Sequence, residues 1–182
     1  MQKIFKDKPD LETYIAKYNV ENILFNEIGP KARKEGKLTF RNFLKIGLWK
    51  SFRQKPNYMK NKDTVEKITQ EAFLENDEAK KINLLCQLKG VSIPTASAIL
   101  AVVYPDKYPV IDIRCLETLV ENEYEINSTS PTVKTWLYFL EITRGLAKEF
   151  NTTPREIDMA LFALHAEKNW DKTLYSKKTG IK

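Results

Sequence analysis

Two cysteines and one histidine are all that the 182-residue chain holds of those residue types, and the scarcity excludes several chemistries. Cys86 and Cys115 build neither a disulfide framework nor a four-cysteine iron–sulfur set. They read as the reduced thiols of a cytoplasmic protein. With His165 as the only imidazole, zinc ligation and histidine acid–base catalysis are poorly supplied, and His165 itself reads as structural. No apolar run approaches bilayer-spanning length, and the opening MQKIFKDKPDLETY lacks the apolar stretch of a signal peptide. A soluble chain with no membrane partner is expected. Strand-like alternation, repeats of fixed period and low-complexity segments are missing as well.

Helical spacing takes their place. The length fits one compact domain, and an excess of 30 basic over 24 acidic residues, a net +6, favours acidic partners without requiring them. Asp10 can cap a short helix carrying Leu11, Tyr14, Ile15 and Tyr18. An apolar stretch over 20–28 stops at Gly29-Pro30, and the basic residues 31–37 read as a loop or frayed turn. Thr39, Asp63 and Asp77 open three further helices, and a long one over 131–150 carries Trp136, Tyr138 and Phe139 as expected core. The last helix has a full start signal, with Thr153 as cap, Pro154 next and Glu156 three positions on. Residues 168–182 form a basic tail, expected to be loosely ordered. The predicted fold is all-α, a two-lobed helical bundle spanning 1–182. Residues 63–119 would form a hairpin lobe, and 1–62 and 131–182 the second lobe.

The most informative stretch runs LCQLKGVSIPTASAIL over 85–100. One helix stops at Lys89-Gly90-Val91-Ser92 and another starts at once. Gly90 provides the backbone angles a tight turn needs, Ser92 can cap, and Pro94 is tolerated in a first turn. Ala96, Ser97 and Ala98 would let the two helices approach closely. A turn of this kind presents backbone N–H groups at a helix start, a ready site for a phosphate. An ordinary helical hairpin with a glycine turn explains the same residues.

The continuation adds weight. L-x-G-V-x-x-x-T-A-x-x-I-L, followed by Y-P-V-I-D, resembles the signature of the helix-hairpin-helix DNA glycosylase superfamily. The matching residues are Leu88, Gly90, Val91, Thr95, Ala96, Ile99, Leu100 and Pro109 to Asp112. Trp136, Tyr138, Leu146 and the segment from Arg155 to Leu161 give a weaker echo. The resemblance implies double-stranded DNA as partner, a monomer, and an essential role for Asp112 in cleaving an N-glycosidic bond. It implies no organic cofactor and no iron–sulfur cluster, with a monovalent cation at the hairpin carbonyls as the one accessory group. Two departures stand out. Ser92 replaces the usual second glycine, and Pro94 stands where strand-cutting members carry a lysine. Proline cannot form a Schiff base, so the comparison points to base excision without strand cleavage.

The chemistry is sound on its own terms. Breaking a nucleoside's glycosidic bond develops positive charge on the sugar, which a nearby carboxylate stabilises while it orients or deprotonates water. Asp112 precedes the amphipathic run Ile113, Leu116, Leu119, so a helix N-terminus would keep it ionised. Plain N-capping would use the same residue. For binding DNA the candidates are Lys89, Gly90, Val91, Ser92 and Thr95 in the hairpin, with Arg114, Arg53 and Lys55 beside it. Arg114 could equally pair with Glu117. Trp49, Phe52 and Tyr58, interleaved with cations, are the candidate rings of a base pocket, with Gln54 or Asn57 as the wedge. Trp49 and Arg53 share a face if their helix extends that far. A non-catalytic nucleic-acid-binding module and a helical protein-interaction domain are the alternatives.

Overall fold

The computed structural model describes residues 4–17, 23–126 and 129–168. Among these residues the chain is all-helical, with no strand. Ten α-helices follow in order: α1 (Lys8–Lys17), α2 (Gly29–Glu35), α3 (Phe40–Lys50), α4 (Lys55–Tyr58), α5 (Val65–Leu74), α6 (Glu78–Leu85), α7 (Ile93–Val103), α8 (Ile113–Glu121), α9 (Val133–Phe150) and α10 (Pro154–Lys168). A π-helical turn (Leu24–Ile28) precedes α2, and 3-10 turns (Phe52–Gln54, Met59–Asn61) flank α4. The expectations for Tyr18, for the start of the 20–28 stretch and for the tail beyond Lys168 lie outside the described residues.

Helix starts follow local side-chain chemistry. Thr39, Asp77 and Thr132 each accept a hydrogen bond from the backbone N–H three residues on, which satisfies one of the orphan donors of a first turn. At α10 the box is reciprocal: Glu156 Oε2 accepts from Thr153 N at 3.0 Å, and Thr153 Oγ1 accepts from Glu156 N at 3.2 Å. The helix expected from Asp63 begins instead at Val65, after Thr64.

α7 is the structural centre. Every residue of it except Pro94 is buried, as expected of a helix that is apolar all round. It lies against α2, α3 and α6, while α10 packs on α1, α8 and α9. Trp136 and Phe139 are core as expected, but Tyr138 is 36 % exposed.

The N-terminal third corrects the sequence reading. Gly29-Pro30 does not stop a helix, and residues 31–35 are not loop, because α2 begins at Gly29 with Pro30 in its first turn. The helix runs on without a break from the π-helical turn, Gly29 N–H donating back to the Leu24 carbonyl. Gly29 is set by tertiary contact: a Cβ there would lie 2.1 Å from the carbonyl oxygen of Val102 in α7. Arg33, one turn on, donates through Nη1 to the Val103 carbonyl and so closes the C-terminal end of α7.

These placements give a paired expectation. Gly29→Ala should cost about 1–3 kcal/mol of unfolding free energy through overpacking. Gly145→Ala, on the exposed side of α9 where a Cβ meets nothing within 4 Å, should add about 0.5–1 kcal/mol through helix propensity. Urea unfolding checks both; equal effects would refute the close contact at Gly29.

Candidate functional site

Asp112 is the N-cap of α8, and its Oδ1 accepts from the Arg114 N–H at 3.2 Å. Its Oδ2 accepts from Lys50 Nζ, the last residue of α3, at 2.9 Å. The two side chains are 27 % and 14 % exposed respectively. Burial alone would raise the Asp112 carboxyl, but the Lys50 ammonium, its hydrogen bond and the Arg114 N–H outweigh it and hold the group below its ordinary value. The site is therefore an ionised carboxylate with one lysine ammonium against it.

The segment leading into Asp112 is pinned from two sides. Val110 N donates to Asp158 Oδ2 of α10 at 2.6 Å, and Ile111 N donates to Ser97 Oγ of α7 at 3.1 Å. Ser97 Oγ donates in turn to the Pro94 carbonyl at 2.9 Å. Asp158 also accepts from Arg155 Nη1, forming an ion pair in which both side chains are almost fully buried. Burial pushes the Asp158 carboxyl up to about 7, against the opposing pull of Arg155 and the Val110 N–H. The Arg155 guanidinium lies 5.0 Å from the Phe25 ring centre and 5.9 Å from that of Trp49. Cys115, fully buried beside these carboxylates, has its thiol pushed well up by desolvation and by Asp158 and Asp112, which makes it inert as a nucleophile.

The turn between α6 and α7 is built on the basic aromatic segment. Gly90 adopts φ +82°, and a Cβ there would lie 2.8 Å from Asn57 Cβ and 3.2 Å from Gln54 Oε1. Asn61, itself buried, clamps the turn: its Oδ1 accepts from Lys89 N at 2.7 Å and its Nδ2 donates to the Lys89 carbonyl at 3.0 Å. Val91 N is bonded to the Leu88 carbonyl at 3.0 Å. Among the described residues, no backbone carbonyl takes the N–H of Gly90, Ser92 or Ile93. Lys89 and Ser92 are exposed.

Several expected site residues serve the core instead. Thr95 is 2 % exposed and shares a 3.3 Å hydrogen bond with the Tyr58 hydroxyl; Val91 is 8 % exposed. Tyr58 is fully buried, edge-on to Phe43 with ring centres 5.6 Å apart, so no base can stack on it. Ser92 holds the N-cap position of α7 without a side-chain capping bond. Because α3 ends at Lys50, Trp49 and Arg53 do not share a helix face; Trp49 is half-buried against Phe25. Gln54 and Asn57 hydrogen-bond each other at 2.9 Å beneath the turn. Phe52, 69 % exposed, stands beside exposed Arg53 and Lys55, with Lys55 Nζ 5.8 Å from its ring centre. The Arg114 guanidinium lies 5.0 Å from the Phe162 ring centre, and Glu117 pairs with His165 Nε2 at 2.8 Å.

The structure thus brings together Asp112 and Lys50, and separately the turn with Gln54, Asn57 and Asn61; Phe52, Arg53 and Lys55 stand exposed along the neighbouring 52–55 segment. A groove of about 800 Å³, lined by Glu123, Glu125, Tyr138, Glu141 and Glu149 among others, shares no residue with the Asp112 pair. Sequence reasoning missed the tie between Lys50 and Asp112, and also Asn61, Ser97 and Asp158. Lys50 and Asp112 lie 62 positions apart, and no local pattern links them. Compared with known proteins, the chain matches no family profile, no curated protein and no solved structure.

The lowered Asp112 value fixes a sign. A carboxyl whose native value lies below its unfolded one stabilises the fold above that unfolded value, 3.8, and loses the contribution as pH falls through the native value. Lys50→Gln should therefore be less stable than wild type at neutral pH, with the gap narrowing below pH 3.8. Thermal unfolding across that window checks it; a gap independent of pH would refute the ion pair.

Proposed function

We propose that this chain is a DNA-processing hydrolase that releases a damaged or mismatched base from duplex DNA by cleaving its N-glycosidic bond. The observation that carries the proposal is the ionised, partly open Asp112 carboxylate at a helix N-terminus, in the position the glycosylase signature assigns to it. Its negative charge would stabilise the oxocarbenium-like sugar as the base departs, and its free lone pairs would orient the water that replaces the base.

DNA would be held without base-specific contacts, by the N–H groups of Gly90, Ser92 and Ile93 and by Lys89, Arg53 and Lys55. Phe52 offers the open aromatic face against which an extruded or flanking base would stack. The Lys89 and Leu88 carbonyls each accept a hydrogen bond, from Asn61 and Val91, and a monovalent cation at the hairpin would use their remaining lone pairs. Pro94 leaves no amine at the position where strand-cutting members of that family carry a lysine.

The test is single-turnover base release from a panel of damaged and mismatched duplexes, with abasic sites revealed by alkali. Asp112→Asn should slow release by about 10²–10³-fold, the scale of losing one charge-stabilising group, while leaving duplex affinity in place. That affinity should fall with salt roughly as the number of phosphates contacted. Duplex binding with no release from any substrate would make the chain a binding module with Asp112 as a cap. Absence of duplex binding at low salt would favour a protein-interaction domain.

A further inference from the structure

The groove of about 800 Å³ that lies apart from Asp112 has residues 123–125, just after α8, as one wall and a face of α9 as the other. On that face Tyr138, Glu141, Gly145 and Glu149 recur at three- and four-residue steps, a stripe about 16 Å long. Among the described residues that line the groove four are glutamates and none is basic, although the whole chain carries +6. Glu123, Glu125 and Glu141 are exposed and form no ion pair among the described residues. These carboxylates do not converge, since no cluster among the described residues is placed to hold a metal ion. Carboxylates spread along a trough match a row of cations rather than a single one.

Gly145 is an independent sign. It lies inside the 18-residue α9, on the exposed side, and a Cβ there would meet nothing within 4 Å. No contact within the described fold requires a glycine, and alanine would favour the helix. A missing side chain midway along the groove lets another backbone come close to α9. Half-buried Ile142 and buried Leu146 give the groove an apolar floor, and Tyr124 and Tyr138 add rings on which a cation can rest.

We propose that this groove docks a segment of a second polypeptide in which lysine or arginine alternates with apolar side chains. The glutamates select the charge of the partner, the floor takes its apolar side chains, and Gly145 admits its backbone. A surface of this charge repels phosphate, so the groove is no part of a nucleic-acid surface. The proposal is therefore independent of the reading of Asp112.

The test titrates the full chain into a short fluorescein-labelled peptide that alternates lysine with leucine, read by anisotropy at low salt. Wild type should bind it, less tightly as salt rises. It should reject the peptide with glutamate for lysine, and bind the one with serine for leucine more weakly. Glu123→Gln combined with Glu141→Gln should weaken binding about tenfold, the scale of two exposed ion pairs. Gly145→Leu keeps every charge and favours the helix, so it should weaken binding by obstruction without lowering the thermal midpoint. Glu71→Gln, on the exposed side of α5, should bind like wild type. No binding by wild type, or binding that the groove variants leave unchanged, overturns the proposal. Spermine bound as tightly as the peptide would assign the groove to a small polycation, and self-association abolished by the groove variants would assign it to a second copy. Peptide binding that emerges only with Lys177→Glu and Lys178→Glu would assign it to the chain's own residues 169–182. Each of these three results overturns the proposal as well.

Discussion

Asp158 sits in the second turn of α10 with both carboxylate oxygens engaged, one by the Arg155 guanidinium and the other by the Val110 N–H. The loop that carries Asp112 has no regular structure of its own and is buried from Tyr108 to Ile111. A buried loop must find partners for its backbone N–H groups or lose the desolvation energy of each. Asp158 meets that demand at Val110, and Ser97 meets it at Ile111. The cost is a carboxyl and a guanidinium withdrawn from water, acceptable only while the two face each other. The position of Asp112 thus depends on a charge pair on a helix that begins more than forty residues later, and on the central helix through Ser97.

That dependence divides what the sequence could reveal from what it could not. The starts at Thr39, Asp77, Asp112 and Thr153 were legible because a cap needs only its own side chain and an N–H two or three residues away. Gly90 was legible for the same reason, as a turn needing a positive φ. Gly29 misled, because its lack of a side chain serves contact with Val102 across the core rather than a turn. Residues 31–35 misled because a short helix with a mostly polar exposed face has the composition of a loop. Tyr58 in a basic stretch looked like a surface ring, yet it fills the space that Gly47 leaves open, as a Cβ there would lie 2.9 Å from the Tyr58 ring.

The site follows the same division. Asp112 was identifiable from its motif and from the amphipathic helix behind it. Its electrostatic state was not, because Lys50 reaches it from another helix. The hairpin residues were identified as a turn, but only the packing shows which backbone donors are already spent. Asn61 takes Lys89 and the Leu88 carbonyl takes Val91, so the donors left for a ligand are fewer than the turn suggests.

The Asn61 clamp and the Gly90 contact have a further consequence. They join the turn to Gln54, Asn57 and Asn61, so the separation between the turn and the backbone of the 54–61 segment is set by the fold, a ruler rather than a hinge. A ligand that spans both meets a surface with little conformational freedom left to surrender, and any mismatch in length must be absorbed by the ligand. Selectivity on such a surface comes from how readily the ligand deforms, so a stiff partner and a pliable one with the same chemical groups are held unequally.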